Sequence, residues 1–301
     1  MKVTVVGLGK VGSSLAFILA ISNFVQELVL VGRSRESVMG DVLDLRHGQL
    51  FVDNPTKIIA GLPDDTADSD IIAICASAPT PTGMESRLQL APVNVALMRQ
   101  LLPPLAERSP NAKIVMVSNP VDVLVYYALE ITGFRPGQIM GTGTLVDSAR
   151  FRQLLADEIH IHMEDIRAYI LGEHGDSQFP AMSCADAGGE PVDPTPARYA
   201  LAEQACKAGY EVYNYKGHTN YAIALAAAQI IECIALDSKR TLPVSLKVNG
   251  FLGVDDVCLS LPAVVGKNGI ERVLHPSLNE QEQQAFLHSA QVVREVIAAC
   301  R

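Results

Sequence analysis

The sequence predicts an α/β protein, a doubly wound parallel sheet followed by a second, α+β domain. Three observations carry that prediction. Short, continuously apolar runs alternate with helical patterns through the first half, as expected of strands covered by helices on both faces. A glycine-rich turn, VVGLGKVG, interrupts the first of these runs and opens the first helical pattern. Beyond Gly141 the alternation gives way to long helical stretches and a few widely separated strand-like runs.

The elements follow in order. Val3 to Val6 is a compact β-rich run, Val11 to Ser22 a helix, Leu28 to Val31 a second strand and Ser37 to His47 a second helix. Lys57 to Ala60, Ile71 to Cys75 and Ile114 to Val117 read as further buried strands, with helices at Leu88 to Leu102 and Val121 to Ile131. A helix is predicted from Leu145 to Ile159. The stretch Ala187 to Pro196, AGGEPVDPTP, is rich in turn formers and reads as a loop. A long helical region runs from Ala197 to Leu236, bent near Lys216 and Gly217. Strands are expected at Leu242 to Val248 and Val257 to Val265, and an amphipathic helix at Asn279 to Ala299.

A chain of 301 residues suits two domains, here 1–143 and 144–301, with a soft boundary around residues 141 to 147. Hydrophobic residues make up 49%, enough for sizeable cores, and the formal net charge of -9 disfavours nucleic acid as a partner. The six cysteines form no Cys-x-x-Cys pair and no zinc-like cluster, so no metal is expected and the thiols read as reduced. The first residues run directly into a strand, which leaves no room for a signal peptide, and no apolar stretch reads as a membrane span. A cytoplasmic location is expected.

Gly7, Gly9 and Gly12 have the G-x-G-x-x-G spacing, with Lys10 and Val11 inside it. Glycines there allow a tight turn, close approach of backbone to a pyrophosphate, and close helix–strand packing, while the following helix points its N-terminus at the phosphates. Preceded by a strand and opening a helix, this is a Rossmann-type dinucleotide site. Its usual partner is an acid about twenty residues on that binds the ribose hydroxyls. Counting on from Gly12 reaches Gly32, followed by Arg33 and Ser34. A carboxylate there would repel a ribose 2′-phosphate. Gly32 removes the repulsion and gives space, Arg33 supplies a forked cationic donor and Ser34 a hydroxyl. The expected cofactor is NADP(H); NAD(H) stays open if Arg33 is a solvated loop residue.

In the second half, LGEHGDSQFP holds His174 at the end of a strand-like run, and GTGTLVDSARF supplies Asp147 and, one turn on, Arg150. A carboxylate on one ring nitrogen fixes the histidine tautomer and favours the imidazolium, which suits a proton-transfer group. A plain helix ion pair between Asp147 and Arg150 is the bland alternative.

With these residues the chain resembles the L-lactate/malate dehydrogenase family, on its L-2-hydroxyacid side. The motifs VVGLGKVG, ESRLQL, VSNPVDVL, GTGTLVDSARF, LGEHGDSQFP and KGHTNYAIA occur in family order over nearly the whole chain, with wording also similar to L-2-hydroxyisocaproate dehydrogenases. The resemblance implies a catalytic second domain and a homodimer or homotetramer. It makes His174 the proton donor and acceptor and Asp147 its orienting partner. Arg150 would grip the substrate carboxylate, Arg87 would ride a mobile loop and polarise the carbonyl, and Asn119 would bind the reacting oxygen. Thr219 would border the substrate side chain. Ala76, Ser77, Asn94, Ser118 and Asn119 would lie along the cofactor.

Malate enzymes of the family carry an arginine at a discriminating loop position. Counting from Ala76 and Ser77 puts Thr80 there, and no arginine or lysine occurs from Cys75 to Ser86. A dicarboxylate would leave its second charge without a cation, which is costly in a closed pocket. The expected substrate is a neutral 2-oxo or L-2-hydroxy monocarboxylic acid, lactate/pyruvate or bulkier. Malate dehydrogenase is the near alternative, and a non-catalytic dinucleotide-binding sensor or structural protein the alternative of another class.

Overall fold

The computed structural model describes residues 1–79 and 87–301, with Arg87 described in its backbone only. One nine-stranded sheet organises the chain. Its parallel half comprises β1 (Lys2–Val6), β2 (Glu27–Val31), β3 (Lys57–Gly61), β4 (Ile71–Ile74), β5 (Lys113–Met116) and β6 (Ile139–Gly141). They lie in the order β3-β2-β1-β4-β5-β6, the doubly wound dinucleotide-binding order. The crossovers are α1 (Lys10–Ala20), α2 (Glu36–Gly48), α3 (Ala91–Arg108) and α4 (Val121–Thr132). Val5, Leu28, Ile71 and Val115 are fully buried, as strands covered on both faces require.

After β6 the chain enters α5 (Leu145–Ile159) and three short strand pieces, β7 (Ile166–Arg167), β8 (Ile170–Leu171) and β9 (Phe179–Pro180). A tight hairpin of β10 (Asp186–Ala187) and β11 (Glu190–Pro191) precedes α6 (Pro196–Lys216) and α7 (Tyr221–Ala235). Then β12 (Arg240–Lys247), β13 (Cys258–Gly266) and β14 (Gly269–Val273) add to the sheet antiparallel, β12 pairing with β6 through Ser245 and Gly141. The chain closes with α8 (Glu280–Ala299), started by a capping box of Asn279 and Glu282. The two halves thus share one sheet and one core, which runs from Val3 to Cys300. A second apolar cluster around Phe151, Leu155, Ile166 and Ala205 supports the segment below α6.

Four features differ from the sequence expectation. The stretch read as a loop from Ala187 contains the β10–β11 hairpin, because Gly188 (φ 61) and Gly189 (φ 96) adopt the two positive φ angles that a twisted two-residue hairpin turn needs. The long helical region is two helices, since Gly217 takes the left-handed cap conformation (φ 77) that ends α6. Helix α3 runs on past Leu102 to Arg108 through Pro103 and Pro104. Each proline gives up a helical N–H, yet the buried Leu105 and Ala106 hold that last turn on the core. Finally, β6 and β14 were invisible to periodicity: β6 has three residues, and β14 is an edge strand whose burial does not alternate.

Among the described residues no helix is long and apolar enough to cross a membrane. All six cysteines are free thiols.

Candidate active site

The predicted residues collect where the parallel strands end. Gly7 follows β1, Ala76 and Ser77 follow β4, Ser118 and Asn119 follow β5, and Asp147 lies just past β6. The strand order turns back between β1 and β4, which opens the crevice where such sheets bind nucleotides.

The glycine loop is built for close packing on one side and access on the other. Gly7 has φ 94, and a side chain there would come within 2.5 Å of the Ala76 nitrogen. At Gly12 a Cβ would overlap the Gly7 carbonyl oxygen. A Cβ on Gly9, in contrast, would meet nothing within 4 Å, so that surface is open. Helix α1 starts at Lys10 with no side-chain cap and no acid in its first turn. Its orphan N–H groups and dipole remain available to an anion. Lys10 is exposed and Val11 half-buried beside them. These donors fit the pyrophosphate of a dinucleotide.

The corner after β2 corrects one expectation. Gly32 does not leave space at its own position, because a Cβ there would stand 2.5 Å from Val38 Cγ1 and overlap Ser37 Oγ. The missing carboxylate therefore follows from helix packing as well as from charge. Ser34 is partly committed: its Oγ accepts the Ser37 N–H at 3.3 Å, and its carbonyl accepts the Ser37 hydroxyl at 2.7 Å, starting α2. Arg35 binds Asp65 at 2.7 Å. Arg33 is exposed and, among the described residues, has no hydrogen bond or ion pair.

Asn94 is fully buried and braces the cofactor-side turns. It accepts the Ala78 N–H at 2.7 Å and donates to Ser77 Oγ at 3.0 Å and to the Asn119 carbonyl at 2.6 Å. Ser118 Oγ donates to the Ala76 carbonyl at 2.6 Å. The Asn119 Oδ1, like Gln178 Oε1, is buried without a hydrogen-bond partner among the described residues.

On the catalytic side, Asp147 sits in the first turn of α5 and is 1% exposed. The helix N-terminus favours its negative charge. Its Oδ2 lies 2.7 Å from His174 Nδ1, and its Oδ1 accepts from Arg150 Nη1 at 3.1 Å. One carboxylate thus orients both predicted partners. Among the described residues Nη1 is the only Arg150 nitrogen so engaged, leaving Nε and Nη2 for a ligand carboxylate. The Asp147–Arg150 contact is the i,i+3 ion pair of the bland alternative, and the same contact restrains the guanidinium.

Three further groups at this site were not singled out from the sequence. The His174 backbone N–H donates to Asp122 Oδ2 at 2.8 Å, and Ser245 Oγ donates to Asp122 Oδ1 at 2.5 Å. Asp122 is 2% exposed, and burial pushes its carboxyl up to about 7 against the pull of those two hydrogen bonds. Glu173, also buried, accepts from the Ser177 N–H and hydroxyl. Asp122 stands in the SNPVD stretch, three residues beyond Asn119, so a signal was present. Nothing in the sequence connects it to Ser245 or to His174.

Thr219 lies half-buried in the turn between α6 and α7. Arg87 opens a short 3-10 turn, Arg87–Leu90, ahead of α3. Thr80 lies outside the described residues. A cavity of about 340 Å³ opens beside Asp147, lined by Leu88, Glu173, Gln178 and Tyr210 among others. Among the described residues no group of His, Cys, Asp or Glu could hold a metal ion.

Comparison with known proteins agrees with this geometry. The family model for the lactate/malate dehydrogenase NAD binding domain matches residues 1–141, and that for the lactate/malate dehydrogenase alpha/beta C-terminal domain matches 144–300. An L-lactate dehydrogenase from Synechococcus is 41% identical, with all of both chains covered. One from Gloeobacter violaceus is 39% identical, over 99% of this chain and 92% of its own. The crystal structure of minor L-lactate dehydrogenase from Enterococcus mundtii in the ligands-bound form superposes with a TM-score of 0.94 at 30% identity, covering 100% of this chain and 98% of its own. With a nucleotide crevice of this topology and both halves matched, the chain belongs to the lactate/malate dehydrogenase family of nicotinamide-dependent oxidoreductases.

Proposed function

We propose that the chain is an L-lactate dehydrogenase-like enzyme that interconverts neutral 2-oxo and L-2-hydroxy monocarboxylic acids, with NADP(H) favoured over NAD(H). The observation that carries the reaction is the Asp147 carboxylate holding His174 Nδ1 at 2.7 Å while it orients Arg150. A dinucleotide-binding sensor or structural protein has no physical need for that arrangement.

The roles follow from the chemistry. With Nδ1 tied to Asp147, the imidazole exchanges its proton with substrate through Nε2. Arg150 grips the substrate carboxylate with its remaining nitrogens, which turns the carbonyl toward His174 and Asn119. Arg87 and the Asn119 amide stabilise negative charge developing on the substrate oxygen, and Thr219 and Thr80 border the substrate side chain. The phosphates are held by Gly7, Gly9, Lys10, Val11, Gly12 and the start of α1, and Ala76, Ser77 and Ser118 line the crevice. A bound nicotinamide supplies or accepts the hydride.

Substrate preference rests on the absence of arginine and lysine between Cys75 and Ser86, and the L-lactate dehydrogenase relatives point the same way. Cofactor preference rests on Arg33, exposed and without a partner among the described residues, and on the lack of a carboxylate at Gly32. A panel of pyruvate, longer neutral 2-oxo acids and oxaloacetate, each with NADH and NADPH, tests both. The neutral acids should turn over faster than oxaloacetate, and the reverse order restores the malate reading. Arg33→Gln should lower kcat/KM for NADPH by about 10- to 100-fold, the value of a charge-assisted hydrogen bond of about 1.5–3 kcal/mol, and leave NADH unchanged. Equal effects on the two cofactors would end the 2′-phosphate argument.

A homodimer or homotetramer is the proposed assembly. Phe17 on α1, Ile21 at its C-cap and Leu225 on α7 are large apolar side chains left exposed, as are Met39 and Leu43 on α2, and Leu225 lines a groove with Ile18, Phe24 and Leu145. Such a patch marks an interaction surface. Light scattering should give at least twice the chain mass, and Phe17→Glu with Leu225→Glu should reduce it to one; a monomeric wild-type chain refutes the assembly.

A further inference from the structure

We infer that Asp122 is a positioning residue that sets the distance between the two groups flanking the reacting oxygen, the His174 imidazole and the Asn119 amide. The inference rests on the proposed proton-transfer role of His174.

Geometry carries it. Asn119 and Asp122 lie three residues apart across the start of α4, with Pro120 at its N-cap, so Asp122 moves with the turn that presents Asn119. From there its carboxylate reaches into the other half of the chain. One oxygen accepts the backbone N–H of His174 itself at 2.8 Å, and the other accepts the hydroxyl of Ser245 on β12 at 2.5 Å. Ser245 is also the residue that pairs β12 with Gly141 of β6. A single buried side chain therefore ties the Asn119 turn, the His174 segment and the strand where the two halves join. Asp147 fixes the direction of the imidazole ring from the side chain; Asp122 fixes where its backbone stands.

Among the described residues the charged or titratable groups around the carboxylate are Glu173 and His174 on the segment after β8, and Cys258 on β13. Burial and Glu173 push the Asp122 carboxyl up, and the Ser245 hydroxyl and the His174 N–H pull it down.

Two variants test the positioning. Asp122→Ala leaves the His174 N–H and the Ser245 hydroxyl without their acceptor. A displacement of about 1 Å at a reacting group costs about 10²-fold, so kcat should fall about that much while the Kd of the reduced cofactor stays within twofold. Asp122→Asn keeps an acceptor for His174 and an amide for Ser245 Oγ, and loses only the charge. It should recover most of kcat. A residue serving stability alone would lower Tm in Asp122→Ala and leave kcat unmoved, and that result overturns the inference. Should Asp122→Ala fail to fold, Ser245→Ala decides: a kcat unchanged there overturns the inference equally. If His174→Asn retains turnover, the reading of the site itself fails. If His174→Asn is inactive while folded Asp122→Ala is fully active, only the role of Asp122 fails.

Discussion

Replacing His174 with asparagine is expected to lower turnover by about 10²- to 10⁴-fold, the range typical of a positioned general acid or base. Asparagine is close in size to the part of the ring that meets Asp147, so its amide can still donate to Oδ2. The Asp147–Arg150 pair and the Asp122 hydrogen bond to the backbone N–H do not depend on the imidazole. The expected pattern is a collapse of kcat with the Kd of the reduced cofactor unchanged, measured by stopped-flow turnover and by fluorescence titration of the cofactor. Undiminished turnover removes His174 from the mechanism.

Arg150→Gln is expected to act on binding as well as on rate. The guanidinium spends Nη1 on Asp147 and offers its other nitrogens to the substrate carboxylate. Removing one partner of a desolvated, hydrogen-bonded charge pair costs about 2–5 kcal/mol, which is about 30- to 5,000-fold in kcat/KM. Most of this should appear in KM, since the carboxylate is held in ground and transition states alike. Arg150→Lys should recover little, because a point charge cannot form the two parallel hydrogen bonds of the fork. Steady-state kinetics on pyruvate give the split. A KM within twofold of wild type in Arg150→Gln would reduce the residue to a helix ion pair.

Much of this was legible in the sequence, and the reason differs by region. The parallel strands are continuous apolar runs with few alternatives, and the glycine spacing at Gly7, Gly9 and Gly12 is imposed by sterics that the structure makes visible: Gly7 against Ala76, and Gly12 against Gly7. Asp147 and His174 could be paired because both stand in distinctive motifs and their chemistry is complementary. Asp122 could not be connected to His174, because 52 residues separate the hydrogen-bonded pair and only the shared sheet brings them together. Gly32 was half understood: the charge argument was available, whereas the crowding by Ser37 and Val38 exists only in three dimensions. The edge strand β14 escaped for a similar reason, since its pairing is supplied by β13 and not by any pattern of its own.

The central claim is that His174, held by Asp147, exchanges the proton while hydride passes between a nicotinamide and a 2-oxo acid at this site. The most direct test is a single-turnover reduction of pyruvate by 4-deuterated reduced cofactor, comparing wild type with His174→Asn and reading the product by NMR. The account predicts L-lactate carrying deuterium at C2 from the wild-type chain, and formation at least about 10²-fold slower from the variant. Wild-type product without deuterium at C2, or equal rates from the two chains, would contradict it.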